Sequence, residues 1–322
     1  PNNIIDNFYH FYTLKHLTFN IFFDIISIYY NKRVWRKVLV DRYKHKQYQT
    51  GLKFVLYVTV RELYKCDVFF EHSLDKGLYC KIMTDKHLTN EDITLIDNKM
   101  KEIISKDLKI TRKVVTKKDA YDFYLKTKEY EKARNVLNLN NKTVTIYELL
   151  GYYNYFMDDM VPSTGVLSNY RLTYLNNNDL VLSTIIDETG RVPAYTSQDM
   201  ILKSYTDYQN WCHVQNVSYV SDLNQIVSES KIKEFIKKND IMMDNQVYDL
   251  AKVIKEINRK IILLGGPSSS GKTTSTRKLA LYLTAIGLNP IYLGLDDYFK
   301  ERSESPKDEN GEYDFETIDC ID

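Results

Sequence analysis

The sequence has few of the residues that define several large protein classes. Only four of its 322 residues are cysteines, and they lack the paired spacing of a disulfide framework. The six histidines include no H-x-x-x-H pair, and none lies at zinc-finger distance from a cysteine, so we expect no zinc site. Glycine is scarce (11), whereas Asn, Lys, Ile and Tyr are abundant. We attribute this bias to the composition of the source genome rather than to function.

Long hydrophobic runs and an excess of charge are also absent. The most apolar segment, Phe19 to Tyr30, is twelve residues long and contains Asp24, whereas a membrane-spanning helix needs about 20 apolar residues. Lys32-Arg33 follows it, where a signal peptide would have a cleavage site with small residues. The net charge of +1 gives no overall field that favours nucleic acid or membrane. These features and the unpaired cysteines predict a cytoplasmic protein with no membrane partner.

The chain divides into three zones. Residues 1–45 form an aromatic and then basic segment that we leave unassigned. Its basic stretch, Lys32 to Lys46, has Trp35 and Tyr43 interleaved, which offers a weak indication of RNA contact. We favour a solvated amphipathic helix there. Residues 46–258 alternate helical and strand-like patterns and indicate an α+β region, with a hairpin turn at Gly77. The helical patterns are Leu52 to Leu63, Glu91 to Ser105 and Lys118 to Glu131.

Two short segments of this region have residues that are typical of binding or catalytic sites. Met160 to Gly165 (MVPSTG) has the hydroxyls and the glycine of an anion-binding turn, and Glu71-His72-Ser73 offers a general base. For both segments we favour a structural role, because Pro-initiated turns and lone histidines are usually structural.

Residues 259–322 predict the start of a domain of another fold class, α/β. Ile261 to Leu264 reads as a buried strand, Lys272 to Ile286 as a helix that stops at Gly287, and Ile291 to Leu295 as a second strand. Strand, helix and strand in this order predict a βαβ unit of a parallel sheet.

Between the first strand and the helix lies a complete phosphate-loop pattern, G-x-x-x-x-G-K-[ST]. Small residues let backbone N–H groups curl around phosphate oxygens at the positive end of a helix. In such a loop Lys272 reaches the β- and γ-phosphates of ATP, and the Thr273 hydroxyl holds Mg²⁺. The expected nucleotide-binding residues are Gly266, Ser268, Ser269, Ser270, Gly271, Lys272, Thr273 and Thr274.

Two carboxylates follow the second predicted strand. Ligands of parallel sheets bind outside the carboxyl ends of the strands, so Asp296 and Asp297 would face the γ-phosphate from the acceptor side. Phosphoryl transfer to a hydroxyl needs a group that orients the hydroxyl and takes its proton. We assign Asp296 as this base and Asp297 as a helper on the substrate side or a helix cap.

The stretches GPSSSGKTT, LGLDDYFKER and SPKDENGEYDFETIDCID resemble the uridine kinase/phosphoribulokinase family. The chain is most similar to bacterial-type nucleoside kinases in which a threonyl-tRNA-synthetase-like region precedes the kinase. FFEHSLDKGLYCKI, MVPSTG and WCHVQNVSYVSDLNQIV are similar to that preceding region. The resemblance therefore covers about residues 46 to 322.

This resemblance implies an enzyme, an ATP- and Mg²⁺-dependent phosphotransferase that phosphorylates the 5′-hydroxyl of a nucleoside such as uridine. Asp296 matches the catalytic base of the family. Glu316 stands where the family has an acid that binds ribose hydroxyls, and Asp319 matches a second acid. Phe299 replaces an aromatic residue, often tyrosine, that helps to hold the base.

The resemblance also implies that the chain stops early in the kinase domain, so that it would be an incomplete and inactive fragment. Alternatives remain open: a nucleotide-responsive RNA-binding or regulatory module, and a sugar-phosphate kinase of the phosphoribulokinase type. The acceptor and the oligomeric state are left open.

Overall fold

A computed structural model describes residues 32–322, except positions 177, 186–190, 268, 310, 316 and 322 and the side chains of residues 32–42, 295 and 296. The apolar segment from Phe19 to Tyr30 thus lies outside the described residues. The chain forms two compact units, Pro1–Asp222 and Leu223–Asp322. No helix among the described residues has both the length and the apolar character needed to cross a bilayer.

The first unit is built around a long helix. Helix α1 (Lys32–Tyr64) is buried at nearly every position from Thr50 to Val60, so it lies inside the unit rather than along its surface. Helix α2 (Asn90–Ser105) packs against it with one face, which includes Ile96, Met100 and Ile103. The helical pattern predicted for Leu52 to Leu63 and for Glu91 to Ser105 is confirmed.

The first sheet lies beside α1 and is antiparallel. Its strand order is β1 (Val68–Leu74), β2 (Gly77–Ile82), β7 (Asp179–Ser183) and β6 (Arg171–Tyr174). The predicted hairpin at Gly77 is confirmed by the pairing of β1 with β2. A Cβ on Gly77 would lie 2.6 Å from Val181 Cγ1 and 2.8 Å from the Leu182 carbonyl oxygen, so the close approach of β7 requires glycine there.

A second, smaller antiparallel sheet has the order β3 (Thr111–Thr116), β4 (Thr143–Leu149) and β5 (Tyr152–Tyr155). Helices α3 (Lys117–Lys126) and α4 (Tyr130–Leu137) pack on it around the buried Tyr124. The sequence predicts one helix from Lys118 to Glu131. The structure breaks it, because Lys128 has φ +62° and Glu129 turns into a buried ion cluster.

That ion cluster joins α1, the segment before β1 and the start of α4. The Glu129 carboxylate is 3.2 Å from the Arg61 guanidinium and pairs with Lys132, and Arg61 also pairs with Asp67 at 2.7 Å. Burial lowers the pKa of Lys132 despite the attraction of Glu129. The ion cluster therefore consists of buried and partly buried charges that pair with one another.

Three helices follow at the end of the first unit and the start of the second: α5 (Asp199–Val214), α6 (Val220–Ser228) and α7 (Ile232–Glu256). In the second unit α7 packs against α8 (Lys272–Ala285) through Ala251, Ile254, Leu279 and Leu283. The predicted stop after α8 is confirmed: Gly287 has φ +88°, and the Leu288 N–H donates to the Leu283 carbonyl oxygen at 2.9 Å.

The two apolar runs predicted as buried parallel strands are corrected by the structure. Residues 261–264 and 291–294 lie outside any sheet, Leu263 is 90% exposed and Ile291 85% exposed. Both sheets among the described residues are antiparallel and belong to the first unit. A parallel strand is stable when neighbouring strands and helices cover both of its faces, and these two runs have no such cover in the described part of the chain.

Candidate functional site

The phosphate-loop pattern lies at the start of α8, as predicted. Gly271 is the N-cap residue with φ +83°, and Ser269 also has a positive φ of +60°. A Cβ on Gly266 would lie 2.9 Å from Ser270 Oγ, so the two residues approach closely across the loop. The first N–H groups of α8 have no partner within the helix and carry its positive dipole end. This geometry suits an anion.

Lys272 is the first residue of α8 and its side chain folds over the loop. Its Nζ donates hydrogen bonds of 2.8 Å to the carbonyl oxygens of Gly266 and Pro267. Thr273 and Thr274 follow it and are exposed, as are Ser269 and Ser270. The loop therefore brings one ammonium group and several hydroxyls to the same surface, and Ser268 lies outside the described residues.

Of the two carboxylates predicted on the acceptor side, the structure describes the side chain of Asp297 but not that of Asp296. Leu295–Tyr298 is a 3₁₀ turn, in which the Asp297 N–H donates to the Gly294 carbonyl oxygen at 3.1 Å. The Asp297 side chain is exposed. The side chain of Asp296, which is the predicted base, lies outside the described residues.

The downstream acidic motif folds back onto this turn. Phe299 forms a bridge with Ile321, and the Lys300 N–H donates to the Cys320 carbonyl oxygen at 2.8 Å. Lys300 Nζ also donates to the carbonyl oxygen of Asp319 at 3.0 Å. The structure thus brings together two of the predicted substrate residues, Phe299 and Asp319, whereas Glu316 lies outside the described residues.

The MVPSTG turn has a structural role, as the sequence favours. Thr164 is fully buried, and its hydroxyl donates to the Ile103 carbonyl oxygen and accepts from the Leu108 N–H, both at 2.9 Å. The Gly165 N–H donates to Asp107 Oδ1 at 2.9 Å. Hydrogen bonds from Ser163 and from this N–H lower the pKa of Asp107. The turn holds α2 to the strands that follow it.

His72 also has a packing role. Its ring stacks between Tyr79 and Tyr205, with ring-centroid distances of 4.8 and 3.8 Å. Its Nδ1 lies 3.2 Å from the Ser73 carbonyl oxygen, and Glu71 pairs with Gln209 of α5. The Glu71-His72-Ser73 segment therefore attaches α5 to the first sheet, which fits the structural role favoured by the sequence.

The basic stretch from Lys32 to Lys46 belongs to α1, in agreement with the helix favoured by the sequence. Lys46 lies 3.9 Å from the Asp158 carboxylate. Sequence reasoning did not single out a second basic stretch, Lys109 to Lys118, which contains five basic residues and no acidic one. Counting charges in short windows would have found it.

No family model matches the chain. Parts of the chain are similar to threonine–tRNA ligases: 33% identical over 103 residues to that of Halalkalibacterium halodurans, 30% over 115 residues to that of Wolbachia pipientis, and 24% over 195 residues to that of Aquifex aeolicus. The matched stretches cover 32%, 35% and 59% of this chain. They cover 16%, 18% and 27% of those ligases, so the chain spans less than a third of the length of these relatives.

These similarities support the prediction that the chain carries a threonyl-tRNA-synthetase-like region. The α+β architecture of the first unit agrees with it.

Proposed function

We propose that the protein binds ATP at residues 266–273 and transfers the γ-phosphoryl group to the hydroxyl of a nucleoside. The observation that carries the proposal is the local geometry of the loop. A glycine with positive φ caps the N-terminus of α8, and Lys272 lies across the loop with hydrogen bonds to the carbonyl oxygens of Gly266 and Pro267. The nucleoside class rests on the resemblance of the downstream motifs to uridine kinases.

The residues of the loop fit a nucleotide phosphate with its magnesium ion. The exposed Thr273 hydroxyl is an oxygen ligand of the kind Mg²⁺ accepts, and bound Mg²⁺ would supply neutralisation of the charge on the phosphates. Lys272 would exchange its two carbonyl acceptors for phosphate oxygens, which are stronger partners because they are charged. Asp296 would take the proton of the attacking hydroxyl, and Phe299 and Asp319 would orient the nucleoside.

The test is transfer of labelled phosphate from ATP to a panel of nucleosides by the full chain, with and without Mg²⁺. Lys272→Ala should abolish ATP binding in equilibrium dialysis, and Asp296→Asn should keep binding but stop transfer. Lys252→Ala is the matched control, because this exposed lysine of α7 has a single ion pair, with Asp249, and lies outside the loop. Equal ATP binding by the Lys272→Ala and Lys252→Ala proteins would refute the phosphate loop. ATP binding without transfer to any nucleoside would refute kinase activity of this chain.

We propose, as a second candidate, an RNA-binding or regulatory module that responds to a nucleotide. Its support is the similarity of parts of the chain to threonine–tRNA ligases, whose name states that they act on tRNA. In this function the first unit would contact RNA, and a nucleotide in the loop would modulate that contact. Binding of tRNA by the full chain that weakens with salt and changes on addition of MgATP would support it. Absence of any tRNA binding at low salt would refute it.

A further inference from the structure

Strand β3 is the outer strand of the second sheet, and basic residues are concentrated in it and beside it. In the order β3-β4-β5, one side of β3 has no neighbouring strand among the described residues. Residues 108–118 contain five basic residues and no acidic residue: Lys109, Arg112, Lys113, Lys117 and Lys118. Lys142 adds another positive charge beside them, since its carbonyl oxygen accepts the Lys117 N–H at 3.2 Å. We call Lys109 to Lys118 together with Lys142 the cationic edge.

The cations of this edge are available to a partner. Lys109, Arg112, Lys113, Lys118 and Lys142 are exposed. The ion pairs among the described residues include none of them. Arg112 contacts the Thr145 hydroxyl at 3.2 Å, and Lys113 lies over the Tyr153 ring at 4.9 Å. These neutral contacts position the side chains without neutralising their charge.

Edge strands often carry lysine, because a charge opposes pairing with another chain. Here the positive charge continues past both ends of the strand, at Lys109 before it and at Lys117 and Lys118 after it. Lysines elsewhere in this unit commonly pair with acids, such as Lys101 with Asp97 and Lys106 with Glu102. The concentration of unpaired cations along one edge indicates an anionic partner.

The dimensions of the edge fit a phosphate backbone. Six residues of strand extend about 20 Å, at about 3.3 Å per residue. Nucleic acid strands present closely spaced phosphates, one about every 3.4 Å of axis per strand in a DNA duplex. A peptide with isolated acidic residues would leave most of the cations unmatched.

We propose that the cationic edge is the surface by which this protein binds the phosphodiester backbone of RNA. The inference rests on the second proposed function and specifies its surface. It assigns the contact to β3 and its flanks, not to the basic stretch from Lys32 to Lys46. Recognition is through phosphates, so the edge fixes the position of the RNA without reading its sequence.

The experiment measures binding of a fluorescent hairpin RNA to the full chain as a function of salt. The edge variant combines Lys109→Gln, Arg112→Gln, Lys113→Gln and Lys118→Gln. The control variant combines Lys233→Gln, Lys237→Gln, Lys238→Gln and Lys252→Gln, which removes the same charge from exposed positions of α7. A third variant, Lys44→Gln with Lys46→Gln, tests the stretch in α1. Circular dichroism verifies that all variants are folded.

Loss of four phosphate contacts should reduce the slope of log affinity against log salt by about 3, at 0.7–0.9 per contact. We expect the edge variant to lose at least tenfold in affinity at 0.1 M salt, and the control and α1 variants to stay within twofold of the parent protein. If the parent protein binds RNA and the edge variant still binds it, the cationic edge is not the binding surface, whereas the second proposed function remains supported. No RNA binding by the parent would overturn both. Equal competition by polyglutamate of the same charge would overturn the assignment to RNA.

Discussion

Glu129→Ala should be the most informative change in the first unit, because Glu129 is the acid at which the buried ion cluster converges. Its side chain is 6% exposed, forms ion pairs with Arg61 and Lys132, and accepts hydrogen bonds from the Thr127 hydroxyl at 3.0 Å and the Tyr57 hydroxyl at 3.3 Å. Its side chain makes no capping hydrogen bond to α4, so the substitution leaves the helix N-terminus as it is. The loss therefore reports the ion pairs of the cluster together with the two hydroxyl hydrogen bonds.

The expected loss of stability depends on which ion pairs remain after the substitution. Removing one partner of a buried ion pair costs about 3–5 kcal/mol when the other charge is left alone. Here Arg61 keeps Asp67 at 2.7 Å, and Lys132 keeps Asp67 at 3.9 Å. We therefore expect a loss of about 2–3 kcal/mol for Glu129→Ala. Glu129→Gln, which keeps an acceptor for the two hydroxyls, should lose less, about 1–2 kcal/mol.

The assay is urea unfolding followed by tryptophan fluorescence. Both tryptophans, Trp35 and Trp211, belong to the first unit, so the signal reports that unit. Urea is uncharged and leaves the ion pairs unscreened, unlike guanidinium chloride. Glu102→Ala is the control, because Glu102 also pairs with two lysines but is 44% exposed, and such surface pairs contribute about 0.2–1 kcal/mol. An equal loss for Glu129→Ala and Glu102→Ala would refute the role of burial.

Three further changes test the packing of the first unit. A hydrogen bond from Lys86, with others from Thr89 and Tyr64, lowers the pKa of Asp92 to about 2, below its ordinary value near 4. The stability that Asp92 contributes is thus present above about pH 4 and lost as the pH falls toward 2, so Asp92→Asn should be less stable than the parent at pH 6 and similar to it at pH 2 in urea titrations. Gly77→Ala should cost about 1–3 kcal/mol, because the new Cβ meets the backbone of β7; an unchanged melting temperature would contradict this close approach. Thr164→Val should cost about 1–3 kcal/mol, because the Leu108 N–H loses its hydroxyl partner; Val166→Thr at a nearby exposed position is the control, and equal losses would contradict the buried role of the hydroxyl.

The local elements of this fold could be predicted from the sequence, whereas features that depend on distant residues could not. Asp75, Lys76 and Gly77 between apolar runs predict the hairpin, and the glycine after Ile286 predicts the end of α8, because both follow from backbone conformation alone. The break between α3 and α4 was missed. Glu129 leaves the helical path to join Arg61, whose distance in sequence hides the pairing.

In the candidate site, too, local features could be predicted from the sequence, whereas features that depend on distant residues could not. The glycines of the phosphate loop and the helix behind it follow from a contiguous pattern, and the structure places Gly271 at the N-cap of this helix. The two apolar runs beside it read as buried strands, yet their burial depends on covering elements that a local pattern does not specify. The fold-back of Ile321 onto Phe299 joins residues 22 positions apart, and periodicity does not reveal such a contact.

The contact between Asp107 and Gly165 has a consequence for any measurement of anion binding. The MVPSTG turn already contains its own anion, a carboxylate fixed in place by the chain. A free phosphate would compete with a tethered group whose effective concentration is on the order of millimolar or higher. We therefore expect no nucleotide binding at this turn in titrations with micromolar nucleotide, so saturable ATP binding in that range would come from another part of the protein.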